Sequence, residues 1–215
     1  MISAETVAER LAGVQERLRV VGGTDVRIVA VTKGFGVDAV EAAAACGIAD
    51  VGESYAQEAV AKLAGRAGLP TVHFIGGLQR NKVRKLAGVV DVWQSVDRPD
   101  LVEEIAKRAP GAVVMLQVDI SGEDTKGGCP PDQVELLLAH ARAAGLDVIG
   151  LMGIAPRGDP ATARPGFRRL RGLVDRCGLR ECSMGMTGDL EVAVEEGSTM
   201  IRVGTALFGP RPARD

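Results

Sequence analysis

Aromatic side chains are almost missing: Phe, Tyr and Trp make up 3% of the 215 residues, with a single Trp and a single Tyr. Such a chain lacks the ring platforms on which single-stranded nucleic acid stacks. An excess of one charge is missing too. Lys+Arg 26 against Asp+Glu 28 leaves a formal charge of -2, so the electrostatic footprint of a general nucleic-acid binder is absent. No stretch is apolar for the length that crosses a bilayer. The opening MISAETVAERL scatters charges where a secretion signal needs an apolar core. A cytoplasmic chain with no membrane partner is expected. Cys46, Cys129, Cys177 and Cys182 contain no C-x-x-C pair and have only His73 and His140 beside them, so a zinc cluster is poorly supported and reduced, buried thiols are expected.

What the chain does have is an ordinary globular balance, 46% hydrophobic and 25% charged, which excludes wholesale disorder. It also has 28 glycines, about twice the usual share, and no low-complexity tract to absorb them. Those glycines read as tight turns and places of close backbone approach.

Two patterns alternate along the whole length. Residues 3–21 carry Val7, Leu11, Val14, Leu18 and Val21 at helical spacing, stopped by Gly22-Gly23. The β-branched run 26–33 then reads as a strand buried on both faces. Further strands are predicted at 48–52, 71–75, 89–93, 112–120, 146–152, 179–183 and 199–203. Helices are predicted between them at 37–46, 54–65, 79–86, 98–108, 131–144, 161–177 and 187–196. Strand–helix alternation with apolar strands implies a parallel sheet. Eight repeats in one short chain, with no linker and no third glycine after K-G-F-G where an open dinucleotide-binding sheet would carry one, predict a single-domain α/β fold. That fold is a (β/α)8 TIM barrel with an extra N-terminal helix.

A barrel carries its chemistry at the C-terminal ends of its strands. Only six of the 26 basic residues are lysines, and Lys33 alone of the six ends an apolar strand. A partly desolvated amine there has a lowered pKa and becomes a nucleophile toward carbonyls; the competing reading is a lysine that snorkels into solvent. The turns 183–189 and 202–209 are rich in Gly, Ser and Thr and lie after the strands where barrels often bind phosphate. Either turn alone is ordinary turn chemistry. Together with a lysine facing them, they suit a ligand with both an aldehyde and a phosphate: pyridoxal 5′-phosphate held as a Schiff base.

The segments VAVTKG, VGESYAQE, HFIGGLQRNK, SVDR and SMGMTGDLEVAVEEGSTMIRVGTALFG, in this order over nearly the whole chain, resemble the YggS/PROSC family of pyridoxal phosphate homeostasis proteins. The resemblance implies a barrel like the N-terminal domain of alanine racemase, binding the cofactor without established turnover. It implies that Lys33 forms the internal aldimine, that Ser183, Gly204 and Thr205 hold the phosphate with backbone help from Met184, and that Arg202 approaches the pyridine nitrogen. A cation at that nitrogen opposes its protonation and weakens the ring as an electron sink. Where the family commonly has G-E-N, this chain has Gly52-Glu53-Ser54, so Ser54 replaces an amide donor with a shorter hydroxyl.

Other residues are expected to be less specific. His73 reads as a satisfied core histidine. Arg80, Lys82, Arg84 and Lys85 read as a solvated helix face, and so do Arg164, Arg168, Arg169 and Arg171. Lys126, in a glycine-rich loop after strand five, is a candidate second amine against a plain loop lysine. Expected function is intracellular vitamin B6 homeostasis by a monomeric carrier, with apo-forms of pyridoxal-phosphate enzymes as recipients. The alternatives are a pyridoxal-phosphate-dependent amino-acid racemase or decarboxylase, and a Schiff-base aldolase acting on a phosphosugar. A two-base racemase needs an acid/base on the opposite ring face, and Tyr55 is the sole tyrosine available.

Overall fold

The computed structural model describes residues 1–123, 126–156 and 158–211. Eight parallel strands close a barrel in chain order: β1 (Arg27–Val31), β2 (Asp50–Glu53), β3 (Thr71–Phe74), β4 (Val92–Val96), β5 (Val113–Val118), β6 (Asp147–Gly153), β7 (Glu181–Met186) and β8 (Met200–Val203). Closure comes from β1 pairing β8, with Val29 opposite Arg202 and Ala30 opposite Val203. The helices are α1 (Ala4–Val20), α2 (Val37–Ala45), α3 (Ala56–Leu63), α4 (Arg80–Leu86), α5 (Pro99–Arg108), α6 (Val134–Ala143), α7 (Pro160–Arg176), α8 (Leu190–Glu195) and α9 (Thr205–Phe208); a 3-10 turn, Pro131–Gln133, leads into α6. None of them is long and apolar enough to cross a membrane, among the described residues.

Side-chain alternation along the strands sorts the core into layers. Val29, Val92, Met115, Met152 and Met200 fill the barrel interior. Ala30, Val51 and Val203 point the other way, into the shell shared with α1 and α2. The buried face of α1 is Val7, Leu11, Val14 and Leu18, and its first turn is capped by Ser3, whose hydroxyl accepts from the Thr6 amide at 3.2 Å.

Three strands depart from the sequence reading. The fourth is not 89–93. Val89 and Val90 donate their amides to Leu86, at 2.8 and 2.9 Å, and close α4. The strand itself runs Val92–Val96 and carries buried Gln94 and Ser95, which break its hydropathy. The seventh does not stop at residue 183 but continues to Met186, so Ser183 and Met184 lie inside the strand. The turn 187–189 follows, braced by the Asp189 carboxylate, which accepts from the Met186 amide at 2.6 Å, and α8 starts only at Leu190. The first strand ends at Val31, which leaves Lys33 two residues beyond it. The short α9 has no counterpart in the sequence pattern.

His73 is a fully buried, doubly bonded core histidine, as expected. Arg168 and Arg169 of α7 are exposed, as a solvated helix face implies, and two of its arginines also pair with the end of α8. Arg164 reaches both Glu195 and Glu196, and Arg168 joins it on Glu196 at 2.9 Å.

Candidate functional site

Where the strands end, Val31, Lys33, Phe35, Arg202, Gly204 and Thr205 converge with Met186, Thr187, Gly188 and Arg211 around a cavity of about 280 Å³. That is the small end of the range for ligand pockets. Lys33, Arg202, Gly204 and Thr205 are thus brought together. Ser183 and Met184 are fully buried below the cavity and do not line it. Ser54 faces a separate depression with Tyr55, Gln57, Gln79 and Lys82. Its carbonyl lies so close to Gly76 that a Cβ there would stand 2.1 Å away, which only glycine tolerates.

Lys33 is presented by a turn held on both sides. The Lys62 ammonium from α3 donates to the Thr32 carbonyl at 2.8 Å, to Glu53 Oε1 at 2.7 Å and to Glu58 Oε1 at 2.9 Å. Glu58 in turn accepts from the Gly34 amide at 2.6 Å. The peptides before and after Lys33 are therefore pinned by one buried cluster. Gly34 adopts φ +78°, the left-handed conformation that lets the chain reverse there. Burial lowers the Lys33 pKa below the ordinary lysine value; Arg211 and Arg202 add to the effect, while Tyr55 and Glu53 oppose it. Burial also pushes the Glu53 carboxyl up, against the pull of Lys62 and Thr32.

Arg202 is fixed differently. Its Nη1 donates to the Ser183 carbonyl at 2.8 Å and to the Ser183 hydroxyl at 2.7 Å, and its Nη2 donates to the Gly153 carbonyl at 2.8 Å. Among the described residues, Nε–H and the second hydrogen of Nη2 find no acceptor, and Arg202 is one of the residues that line the cavity. Burial pushes Arg202 down to about 10, which still leaves it charged at neutral pH.

The two turns on the other side offer backbone donors. Among the described residues, the amides of Thr187, Gly188, Gly204 and Thr205 find no acceptor. The 187 turn is held open from outside: Arg17 of α1 grips the Thr187 carbonyl at 2.8 Å and pairs with Glu191. Four unpaired amides with two cations nearby make a cradle for an anion.

Lys126 is tied to the Ala155 carbonyl and lies 3.1 Å from Glu123. Among the described residues, no group of His, Cys, Asp and Glu is arranged for a metal ion. Sequence reasoning missed Lys62, Glu58 and Arg211; it held Thr187-Gly188 within a candidate phosphate turn without singling them out. A signal for Lys62 existed, since Glu58 and Lys62 stand one helical turn apart on α3. Arg211 follows the last element and left no pattern to read.

A family model described as alanine racemase, N-terminal domain, matches residues 2–212. The chain is 41% identical over 221 residues to the pyridoxal phosphate homeostasis protein of Pseudomonas aeruginosa, with 96% of each chain covered. It is 41% identical to the protein of that name from Deinococcus radiodurans, covering 92% of this chain and 97% of the relative. The solved structure of PipY from Synechococcus elongatus with pyridoxal phosphate bound superimposes with a TM-score of 0.82 at 35% identity, over 94% of this chain and 100% of PipY. An alanine racemase of Clostridium difficile, 13% identical and 59% covered, shares the fold with a TM-score of 0.80. The chain belongs to the alanine racemase N-terminal domain family and, within it, to the pyridoxal phosphate homeostasis proteins.

Proposed function

We propose that this protein binds pyridoxal 5′-phosphate reversibly and serves vitamin B6 homeostasis as a carrier in the cytoplasm, not as an enzyme. The observation that carries the reading is one cavity holding a desolvated amine, Lys33, and four unpaired backbone amides. When bound, the cofactor supplies an aldehyde that an uncharged amine captures with loss of one water, and a phosphate that anchors the other end.

Each residue then has a task. Lys33, held by the Lys62 cluster and partly desolvated, presents its amine without a large cost of deprotonation. Gly204 and Thr205, joined by Thr187 and Gly188, take the phosphate through their amides. Arg202, one of the residues lining the cavity, offers a remaining guanidinium N–H to the ring nitrogen, where a fixed positive donor opposes protonation. Ser183 is committed to Arg202 and Gln94, so we assign it to holding Arg202 and not to the phosphate. Met184 packs its side chain among the outer core, away from the ligand. Ser54 sits in the neighbouring depression, one residue from Tyr55, and reaches the ligand only through an intervening group.

Relatives named homeostasis proteins support a carrier over a racemase or decarboxylase. We take the protein as monomeric, because a closed barrel leaves no sheet edge to pair, and apo-forms of pyridoxal-phosphate enzymes as its recipients. The test has two parts. Protein loaded with pyridoxal phosphate and freed of excess is mixed with an apo-enzyme whose activity then reports transfer. A panel of L- and D-amino acids is followed for racemisation and CO2 release. Transfer without turnover is expected; sustained turnover overturns the carrier reading.

A further inference from the structure

A line of buried side chains crosses the barrel interior behind the cavity. Arg202 Nη1 donates to Ser183 Oγ at 2.7 Å, Ser183 Oγ to Gln94 Oε1 at 2.7 Å, and Gln94 Nε2 to His73 Nδ1 at 2.8 Å. His73 Nε2 meets Asp50 Oδ1 at 2.8 Å, and Arg27 reaches the same oxygen at 3.0 Å. Strands β8, β7, β4, β3 and β2 each contribute a member. Ser183, Gln94 and His73 are 0% exposed and Arg202 4%, so water does not substitute for any link.

The direction of every bond follows from the ends. Arg202 can only donate, so the Ser183 hydroxyl accepts from it and must send its own hydrogen elsewhere. The acceptor within reach is the Gln94 oxygen. That turns the Gln94 nitrogen toward His73, whose Nδ1 must then accept, so its single hydrogen sits on Nε2 and goes to Asp50. At the far end the logic closes. Burial alone would raise the Asp50 carboxyl, but His73 and Arg27 outweigh it and hold the group ionised, an acceptor only. Gln94 also places its second hydrogen on the Met200 sulfur at 3.1 Å. Turning Gln94 over would leave the Ser183 hydrogen without an acceptor in a dry interior, a penalty that keeps the chain in one polarity.

We propose that Gln94 and His73 are positioning residues for Arg202: the one-way chain from Arg202 to Asp50 holds the guanidinium at the cavity wall with its remaining N–H groups free for a ligand, and so makes the site select a ring that offers a lone pair. The proposal rests on the ligand reading above. Among the described residues, neither lines the cavity and neither hydrogen-bonds Arg202.

Two measurements on the full chain test it. In the ligand-free protein, histidine nitrogen NMR should show His73 with a proton on Nε2 and a bare Nδ1; a proton on Nδ1 overturns the polarity and the proposal. Binding of pyridoxal phosphate is then compared with binding of its analogue in which the ring nitrogen is replaced by CH. Wild type should prefer the natural ring by roughly tenfold or more, the value of a charged hydrogen bond. In Gln94→Met that preference should fall by about threefold or more, one neutral hydrogen bond's worth, while phosphate-dependent binding persists. His73→Leu breaks the next link and should act the same way if Gln94→Met does not fold. Full preference kept in a folded variant overturns the proposal alone. Failure of wild type to bind either compound overturns the ligand reading and the proposal with it.

Discussion

The Lys62 ammonium donates to the main-chain carbonyl of Thr32 at 2.8 Å, so one buried lysine fixes the peptide from which another lysine, Lys33, projects. The same ammonium neutralises Glu53, which is fully buried and, among the described residues, keeps Oε2 without a partner. Charge and shape are coupled here: removing Lys62 would free the turn and strand a carboxylate in the core.

Lys62→Met is therefore expected to destabilise the fold by about 3–5 kcal/mol, as removal of one member of a buried ion pair does. Denaturant unfolding checks this, and Lys62→Met combined with Glu53→Gln should recover part of the loss. A loss under about 1 kcal/mol, the size of an exposed ion pair, would contradict the buried role.

The depressed Lys33 pKa has a sign that can be worked out. The unfolded chain keeps the ordinary lysine value of about 10.4, so between the lowered folded value and that value the unfolded state holds more protons. Stability should rise with pH across this window, and the rise should vanish in Lys33→Met. The rate of pyridoxal phosphate capture should climb with pH through an inflection below that of ordinary lysine. Arg211→Ala removes a neighbouring positive charge and should move the inflection upward; an unchanged inflection would show that Arg211 does not act on the amine.

The anion cradle predicts that inorganic phosphate stabilises the apo-protein. At one hundred times its dissociation constant a ligand adds about 2.7 kcal/mol, readable as a rise in melting temperature. Pyridoxal lacking the phosphate should bind far more weakly than the phosphorylated form. Equal affinities would remove the turns after β7 and β8 from the site.

Much of this was legible beforehand because it rests on local pattern. The alternation of apolar runs with helical spacing specified the barrel, and the scarcity of lysine drew attention to Lys33. What escaped reading depends on contacts made far along the chain. Val89-Val90 is apolar enough to mimic a strand, yet its amides finish α4, while the true strand hides Gln94 and Ser95 inside the barrel. Ser183 is near the turn in sequence, but β7 carries on past it and leaves its hydroxyl facing inward to Gln94. Lys62 looks like any exposed helix lysine until the fold brings Thr32, Glu53 and Glu58 around it.

The most direct measurement is borohydride reduction of the protein saturated with pyridoxal phosphate, followed by proteolysis and mass mapping. The account predicts the reduced pyridoxyl group on the peptide containing Lys33, and no stable label in Lys33→Ala. A label that falls instead on Lys82, Lys126 or another amine, with Lys33 unmodified, would contradict it.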